Sequence, residues 1–333
     1  MPSTTLVLTI IIVILALCFD FINGFHDCAN AIATSVATKV LTMRQAVLMS
    51  ATLNFVGAIL FTNVAKTIGS DMLNKDLIKP TVVMAAIIAA IIWDIITWYY
   101  GLPSSSSHAL IGGLIGSAIL YSGKFSVIMW GTFFTKIVLW LLLSPVIGFV
   151  AGYIIMVIIN IIFRNTRPTT VSKIFSKAQI FSAAAMAFNH GANDAQKSMG
   201  VITMALLSAG YISSFHVQPW VIVACATSMA IGTSVGGAKI IKTVGSKMAK
   251  LAPVNGFAAE TGGAIVIFIA TTFFHAPVST THTITTSIMG VGASKRINSV
   301  KWSVVKNIVW AWVLTIPVCA MIAGVVISLL KLI

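Results

Sequence analysis

Long uninterrupted apolar runs constrain what this chain can fold into more than any other feature of its sequence. Residues 6–17, 82–93 and 137–163 form runs that carry at most one ionisable residue each. A bilayer-spanning helix needs about 20 apolar residues, and lipid offers no partners for backbone N–H and C=O groups. The runs are continuous and do not alternate with period two, which excludes a transmembrane barrel. The sequence therefore predicts an all-α polytopic membrane protein.

The scarcity of charge supports the same class. Only 8% of the 333 residues are charged, 58% are hydrophobic, and the mean hydropathy is +1.01. Soluble domains carry about 25% charged residues, so this chain has too little charge to cover a water-facing surface. The sequence offers no constellation of nucleophile, base and orienting group that would indicate an enzyme. It also offers no continuous polar pore that would indicate a channel.

The net charge of +14 indicates membrane topology rather than a nucleic-acid partner. Basic residues are enriched in cytoplasmic loops, and here they form four groups. These groups are Lys39 and Arg44; Arg164, Arg167, Lys173 and Lys177; Lys239, Lys242, Lys247 and Lys250; and Lys295, Arg296, Lys301 and Lys306. Placing all four groups inside predicts external termini, a cytoplasmic linker over residues 164–177 and a location in the plasma membrane.

Two motifs recur in the same order in the two halves of the chain, which indicates an internal duplication. The segment Asn23–Asn30 resembles His190–Lys197, and the segment Pro103–His108 resembles Pro277–His282. The topology derived from charge starts the two halves on opposite sides of the membrane. We therefore expect two inverted-topology repeats, residues 1–163 and 178–333, joined by the basic linker, as in many secondary transporters.

Each repeat is expected to contain broken helices. The motif that holds glycine, asparagine and aspartate predicts a break in the first helix of each half, followed by an unbroken span. The Pro-Ser/Thr motif predicts a re-entrant helical hairpin, followed by a final span. In the second half the hairpin covers residues 255–293, and its tip, residues 277–282, is expected to reach the middle of the membrane.

Five of the seven acidic residues lie in apolar stretches, where a carboxylate at mid-bilayer costs at least about 2.5 kcal/mol and needs a partner, a cavity or an ion. Asp27 and Asp194 occupy matching positions of the duplicated motif, and the neighbouring amides favour cation or proton binding over helix capping. Asp20, Asp94 and Glu260 have no counterpart in the other half. For these three, hydrogen bonding between helices and ion handling are equally favoured. The two acids of a polar loop are Asp71 and Asp76.

The two Pro-Ser/Thr tracts predict an anion site. A proline followed by hydroxyl residues and then an apolar run is typical of a helix N-terminus, whose free N–H groups and dipole attract an oxyanion. Inverted symmetry would bring the two helix starts together around one tetrahedral phosphate. A single tract would indicate only capping or helix packing, whereas two related tracts favour the site. The candidate phosphate-binding residues are Ser104, Ser105, Ser106, Ser107, Ser279, Thr280 and Thr281.

A lysine in the second motif distinguishes the two halves. Lys197 lies in an apolar segment three residues after Asp194, and we expect it to pair with that carboxylate as a fixed cation. His108 and His282 each follow one of the hydroxyl tracts directly. For both histidines, hydrogen bonding to the tip and proton handling near neutral pH are equally favoured.

The segments 23–31 and 191–194 and the tract 277–282 are similar to the signatures of the inorganic phosphate transporter (Pit) family. The resemblance implies phosphate import coupled to sodium or protons, an inverted-repeat fold and a homodimer. Asp27, Asn30, Asn193 and Asp194 match the family's cation and phosphate motif, and the two hydroxyl tracts match its phosphate-holding tips. Accessory candidates beside these motifs are Asn23, His26, His108, Gln196, Glu260 and His282.

The second motif departs from the family signature, because Lys197-Ser198 stands where the first copy has Asn30-Ala31. A built-in ammonium group can replace one sodium ion, so the departure favours proton coupling over sodium coupling. The expected function is a secondary active transporter that imports inorganic phosphate by cation symport through alternating access, without a cofactor. Two alternatives stay open, a sodium-driven phosphate symporter and a sulfate permease of the same fold. Whether a divalent metal travels with phosphate is also open.

Overall fold

A computed structural model describes residues 4–74, 79–248 and 251–332. Within these ranges the chain is almost entirely helical, which confirms the all-α prediction. Asp76 of the polar loop and Lys250 of the third basic group lie outside the described residues. Asp71 ends a short π-helical turn instead of lying in a loop, and its Oδ2 is 3.8 Å from Lys136 Nζ.

The first half contains two long helices, a short helix, a helical hairpin and a final long helix. In chain order these are α1 (Thr4–Ala37), α2 (Met43–Leu60), α3 (Asn63–Lys66) with the π-helical turn Thr67–Asp71, α4 (Pro80–Tyr100), α5 (Ser106–Ser122) and α6 (Trp130–Ile162). A 3-10 turn (Phe125–Val127) precedes α6.

The second half repeats this order. Its elements are α7 (Pro168–Ser208), α8 (Pro219–Val235), α9 (Ala238–Lys242) with the π-helical turn Thr243–Lys247, α10 (Pro253–Thr272), α11 (Thr280–Ala293), the 3-10 turn Ile297–Ser299 and α12 (Trp302–Leu330). The matching order agrees with a duplicated chain. The opposite orientation of the two halves in the membrane stays a prediction.

Local sequence signals explain where several helices begin. Proline occupies the first position of α4, α7, α8 and α10, where its missing N–H costs no hydrogen bond and its fixed φ suits the helix. At the start of α2, Thr42 and Gln45 cap each other's backbone N–H groups. The linker expected over residues 164–177 is therefore mostly helical, because Pro168 starts α7 and leaves only residues 163–167 between the halves.

The prediction of a helix break at the Asn/Asp motif was wrong. Helices α1 and α7 run without interruption through both copies of the motif. Its glycines serve close packing instead. A Cβ atom on Gly24 would lie 2.8 Å from the backbone N of Thr233 in α8, and one on Gly191 would lie 2.7 Å from the backbone carbonyl carbon of Asn54 in α2. A larger residue would push these helix pairs apart, so the motif needs glycine without breaking the helix.

The breaks lie instead in the second element of each half, which was expected to be unbroken. Helix α2 ends before Phe61, which is extended, and α3 starts two residues later. Helix α8 ends before Gly236, whose φ of 73° lies in the left-handed region that favours glycine. At this break the chain bends by 63° between α8 and the segment Ala238–Gly245.

The two halves interlock through crosswise helix pairs. The first helix of each half packs against the second helix of the other half, as the contacts of Gly24 and Gly191 show. The hairpin helix of each half likewise packs against the final helix of the other half. A Cβ on Gly112 in α5 would lie 2.6 Å from the Ile316 carbonyl oxygen in α12, and one on Gly148 in α6 would lie 2.7 Å from the Thr283 carbonyl oxygen in α11.

Helix length and apolarity are consistent with a membrane protein. Among the described residues, six helices are long and apolar enough to cross a bilayer, and the bent pair at Gly236 adds a seventh candidate span. Helices α5 and α11 have 17 and 14 residues. At 1.5 Å per residue they reach about 25 and 21 Å, which is short of a hydrocarbon core about 30 Å thick. These lengths suit the inner arms of re-entrant hairpins.

Candidate functional site

Both Pro-Ser/Thr tracts form helix starts, as their sequence pattern predicts. Ser105 is the N-cap of α5, and its Oγ accepts a hydrogen bond of 3.3 Å from the His108 backbone N–H. Ser279 is the N-cap of α11 and accepts a bond of 3.1 Å from the His282 N–H. The tip of each hairpin therefore presents an N-terminus with the partial positive charge of its helix.

The two tips meet in the interior of the protein. Ser107 Oγ in the first tip donates a hydrogen bond of 3.2 Å to the Val278 carbonyl oxygen in the second tip. The rings of His108 and His282 lie with their centroids 4.5 Å apart. Every side chain of the two tracts and both histidines is at most 7% exposed to solvent. The helix starts are thus brought together and shielded from water.

A tryptophan of α12 contacts both tips. Trp312 Nε1 donates a hydrogen bond of 3.1 Å to the Pro103 carbonyl oxygen of the first tip. Its ring stacks on His282 of the second tip, with centroids 3.8 Å apart. His108 Nδ1 lies 2.7 Å from Ser105 Oγ, so both histidines contact tip or aromatic groups. His108 thus hydrogen-bonds to its tip, whereas His282 Nε2 makes no hydrogen bond in the described chain. A proton-handling role for either histidine stays a prediction.

Asp27 of the first motif faces hydroxyls of both tips. Ser106 Oγ donates to Asp27 Oδ2 at 3.4 Å, and Thr281 Oγ1 donates to Asp27 Oδ1 at 3.4 Å. His26 Nδ1 lies 2.6 Å from Asp27 Oδ1, and the other ring nitrogen lies 3.0 Å from Thr97 Oγ1. Asp27 is 2% exposed, so these groups, rather than water, stabilise its charge.

Asp194 of the second motif lies beside the second tip and pairs with Lys197. Lys197 Nζ is 3.1 Å from Asp194 Oδ2, which is the ion pair expected from sequence. Thr280 Oγ1 donates to the same oxygen at 3.4 Å, and His190 Nε2 lies 3.4 Å from it. Asp27, His190 and Asp194 together form a buried group whose ligand atoms lie within 4.8 Å of one another. Two carboxylates of different halves therefore share one small polar region.

The two motif asparagines connect the long helices to the second tip. Asn30 Nδ2 in α1 donates to Thr280 Oγ1 at 3.2 Å and to Thr281 Oγ1 at 2.9 Å. Asn193 Nδ2 in α7 donates to the Val278 carbonyl oxygen at 3.0 Å and to Asp194 at 2.6 Å. Both asparagines thus orient the groups that surround the aspartates.

The remaining candidates of the first tract have structural partners. Ser104 Oγ donates to Thr97 Oγ1 at 2.8 Å, while Ser105 and Ser107 cap the helix and bridge the tips. Across the two tracts, three hydroxyls contact a motif carboxylate in the described chain. These are Ser106, Thr280 and Thr281.

Two accessory candidates make their hydrogen bonds to groups outside the tips. Gln196 Oε1 accepts hydrogen bonds of 2.6 and 3.2 Å from the first backbone N–H groups of α3, at Val64 and Ala65, because the break before α3 leaves those donors unpaired. Glu260 accepts hydrogen bonds from Thr34 and Ser182 and a 3.2 Å bond from Gln179 Nε2. Glu260 thus hydrogen-bonds between helices, and an ion-handling role for it stays a prediction.

Three site residues were missed by sequence reasoning. His190 lies in the duplicated motif opposite Asn23, and its side chain reaches Asp194. Thr97 and Thr271 lie at matching places in α4 and α10. Thr97 Oγ1 contacts His26 at 3.0 Å, and Thr271 Oγ1 donates to Asn193 Oδ1 at 3.4 Å. Each threonine lies six residues before the proline of its tract, so extending the repeat alignment upstream would have found them.

Comparison with known proteins identifies the chain. A family model described as "Phosphate transporter family" matches residues 23–323, which include both motifs and both tips. The chain belongs to the phosphate transporter family. The members of this family are transporters and not enzymes, and the several apolar helices place the protein in the cell membrane, as predicted.

Named relatives cover nearly the whole chain. A "Probable low-affinity inorganic phosphate transporter" of Bacillus subtilis is 51% identical over 98% of this chain and 98% of its own length. One of Rhizobium meliloti, with the same description, is 45% identical over 94% of this chain and 93% of its own. A solved structure titled "The sodium-dependent phosphate transporter" superposes with a TM-score of 0.89 at 25% identity, covering 98% of this chain and all of that one.

Proposed function

We propose that this phosphate transporter imports inorganic phosphate by symport with a cation through alternating access, with protons favoured over sodium. The observation that carries the proposal is the contact between tip hydroxyls and motif carboxylates. Ser106 and Thr281 face Asp27, and Thr280 faces Asp194, each at 3.4 Å. Groups that would donate to phosphate therefore also touch groups that would bind a cation.

Charge explains why phosphate needs a companion at this site. Asp27, Asp194 and Lys197 have a formal sum of −1 before any anion arrives. Two negative charges about 4 Å apart repel by roughly 4 kcal/mol at an effective dielectric constant of 20. A cation or proton on Asp27 removes this repulsion, and a protonated phosphate oxygen can donate to the carboxylate. Sulfate at neutral pH has no such proton, so the same site favours phosphate over sulfate.

Lys197 favours protons as the coupling ion. Its ammonium group, 3.1 Å from Asp194 Oδ2, lies where a sodium ion at that carboxylate would have to bind. The first half has the neutral Asn30 at the matching position. We therefore expect at most one sodium ion at Asp27. Sodium coupling remains the second candidate, because the structural neighbour is titled as sodium-dependent.

The burial of the site supports alternating access. The tract side chains and both motif aspartates are at most 3% exposed, so phosphate can reach them only after the helices around the tips move. A displacement of either tip away from α1 and α7 would break the 3.4 Å contacts between the tip hydroxyls and the aspartates. A homodimer and a metal that travels with phosphate stay predictions.

The test is phosphate uptake into proteoliposomes, with sodium and pH varied independently and sulfate as competitor. We expect accumulation driven by an inward proton gradient without sodium, unaffected by excess sulfate. Asp27→Asn should abolish accumulation above equilibrium. Ser106→Ala and Thr281→Ala should raise KM, whereas Ser117→Ala, which removes a buried hydroxyl bonded only within α5, should not. Uptake that requires sodium at every pH would reject proton coupling, and unchanged KM in both tip variants would reject the site.

A further inference from the structure

A buried carboxylate outside the phosphate site makes no hydrogen bond of normal geometry. Asp20 lies in α1, seven residues before Asp27, and is fully buried. Neither of its oxygens makes a hydrogen bond in the described chain. Glu260, which is equally buried, accepts hydrogen bonds from three side chains. The sequence left hydrogen bonding and ion handling open for both acids, and the two differ in that only Glu260 is bonded to side chains around it with normal geometry.

Two neutral side chains near Asp20 are also without partners. Asn23 lies one helical turn further along the same face of α1, and neither its amide oxygen nor its amide nitrogen is bonded. Ser198 of α7 faces the Asp20 carboxylate, but its hydroxyl makes no hydrogen bond of normal geometry. All three side chains are 0% exposed. Buried polar groups are normally paired, so unpaired groups at Asp20, one turn further along α1 and at the facing Ser198 indicate a missing ligand.

The chemistry of this group suits a small hard cation. Two carboxylate oxygens, one amide oxygen and one hydroxyl oxygen are available, and oxygen atoms are the ligands that hard cations prefer. An anion is disfavoured, because Asp20 and the nearby Asp194 are both acidic. Lys197 acts on both carboxylates but is paired with Asp194 at 3.1 Å. Asp20, Asp27, Asp194 and Lys197 together sum to −2. One cation or proton at Asp27 leaves −1, which one monovalent cation at Asp20 would balance.

The other unpaired carboxylate, Asp94, belongs to a different place. Its neighbours are His26, Asp27 and Ser106, which are parts of the phosphate site already described. Asp20 instead faces Ser198 and Cys225 between α1, α7 and α8. The Asp20 group is thus distinct from the hydroxyl tips.

We propose that Asp20, Asn23 and Ser198 form a sodium-binding site separate from the hydroxyl tips. It goes beyond the proposed function, because it assigns sodium a place apart from both motif aspartates. Lys197 opposes sodium at Asp194, and Asp20 supplies the carboxylate that sodium can use instead. A chain whose uptake is driven by protons then still binds sodium.

Equilibrium binding of radioactive sodium to the purified full-length protein in detergent, without phosphate, tests the proposal. Wild type should bind one sodium ion at a site that choline does not occupy. Asp20→Asn, which keeps the size of the side chain, should weaken that binding at least tenfold. Ser198→Ala, a smaller change at a buried hydroxyl, should weaken it severalfold. Glu260→Gln removes an equally buried but fully bonded carboxylate and should leave sodium affinity within twofold of wild type.

The outcomes separate this site from the transport site. Sodium binding that survives Asp20→Asn and Ser198→Ala but disappears in Asp27→Asn places the ion at the transport site and overturns the proposal. A wild type that binds no sodium also overturns it. Should Asp20→Asn fold poorly, Ser198→Ala alone decides, since unchanged affinity in that variant contradicts the assigned ligand. Because phosphate is absent, none of these results depends on how uptake is coupled.

Discussion

Replacing Lys197 with asparagine tests whether the lysine acts as a fixed cation. The variant copies the first motif, which has Asn30 at this position. The ion pair spans 3.1 Å between Lys197 Nζ and Asp194 Oδ2, with both side chains at most 1% exposed. At that distance, two opposite charges attract by about 5 kcal/mol at an effective dielectric constant of 20. Removing one partner of a buried pair costs about 3–5 kcal/mol, because the other charge is left uncompensated.

Without sodium, Lys197→Asn should therefore unfold at a clearly lower Tm than wild type. Sodium should restore much of the loss by binding beside Asp194, whereas choline at equal ionic strength should not, because it is too large for the site. The assay is thermal unfolding of the detergent-solubilised protein over a sodium titration. Uptake by the variant should also become sodium-dependent, as expected if the ammonium group replaces an ion.

The double variant Asp194→Asn/Lys197→Asn provides the matched control. It removes both charges of the ion pair and leaves no uncompensated carboxylate at Asp194. Replacing a whole buried pair is often neutral, so this variant should be more stable than Lys197→Asn without sodium. It should also gain less stabilisation from sodium than Lys197→Asn does. Equal Tm values for wild type and Lys197→Asn in choline, or equal sodium responses of the single and double variants, would refute the fixed-cation reasoning.

Two further predictions concern the tips and the topology. Trp312→Phe keeps an aromatic ring on His282 but loses the hydrogen bond to Pro103, which is worth about 1 kcal/mol, so KM for phosphate should rise about fivefold. Trp140→Phe should leave KM unchanged, because Trp140 contacts Phe274 instead. Equal KM values in both variants would contradict the role of Trp312. In a variant without native cysteines, an impermeant maleimide on intact cells should label a cysteine at exposed position 213 and spare one at exposed position 172, and the reverse pattern would overturn the assigned topology.

The helix starts at the tips could be predicted because their cause is local. Proline and hydroxyl residues set the backbone angle and the capping bonds within a few positions of each other, as at Ser105 and Ser279. The pairing of Lys197 with Asp194 was predictable for the same reason, since residues three apart on a helix are neighbours.

The continuity of α1 and α7 could not be predicted, because its cause lies in another helix. Gly24 resembles a helix breaker in sequence, and its actual role depends on the backbone of α8, which approaches it closely. The same limit applies to buried polar side chains. Glu260 and Asp20 look alike as isolated acids in apolar segments, and only the neighbours supplied by other helices show that one is bonded and the other is not.

The crosswise helix pairs have a consequence for biosynthesis. Gly24 packs against Gly232 of α8 and its neighbours, about 200 residues later in the chain, so α1 cannot find its partner until the second half has been made. Until then, the helices of the first half lie in the lipid without the partner helices that pack on their small residues. Neither half alone can complete its own interfaces, and assembly is expected to be a late event that follows insertion of the last helices. A ribosome that stalls midway would release a chain without a finished structure.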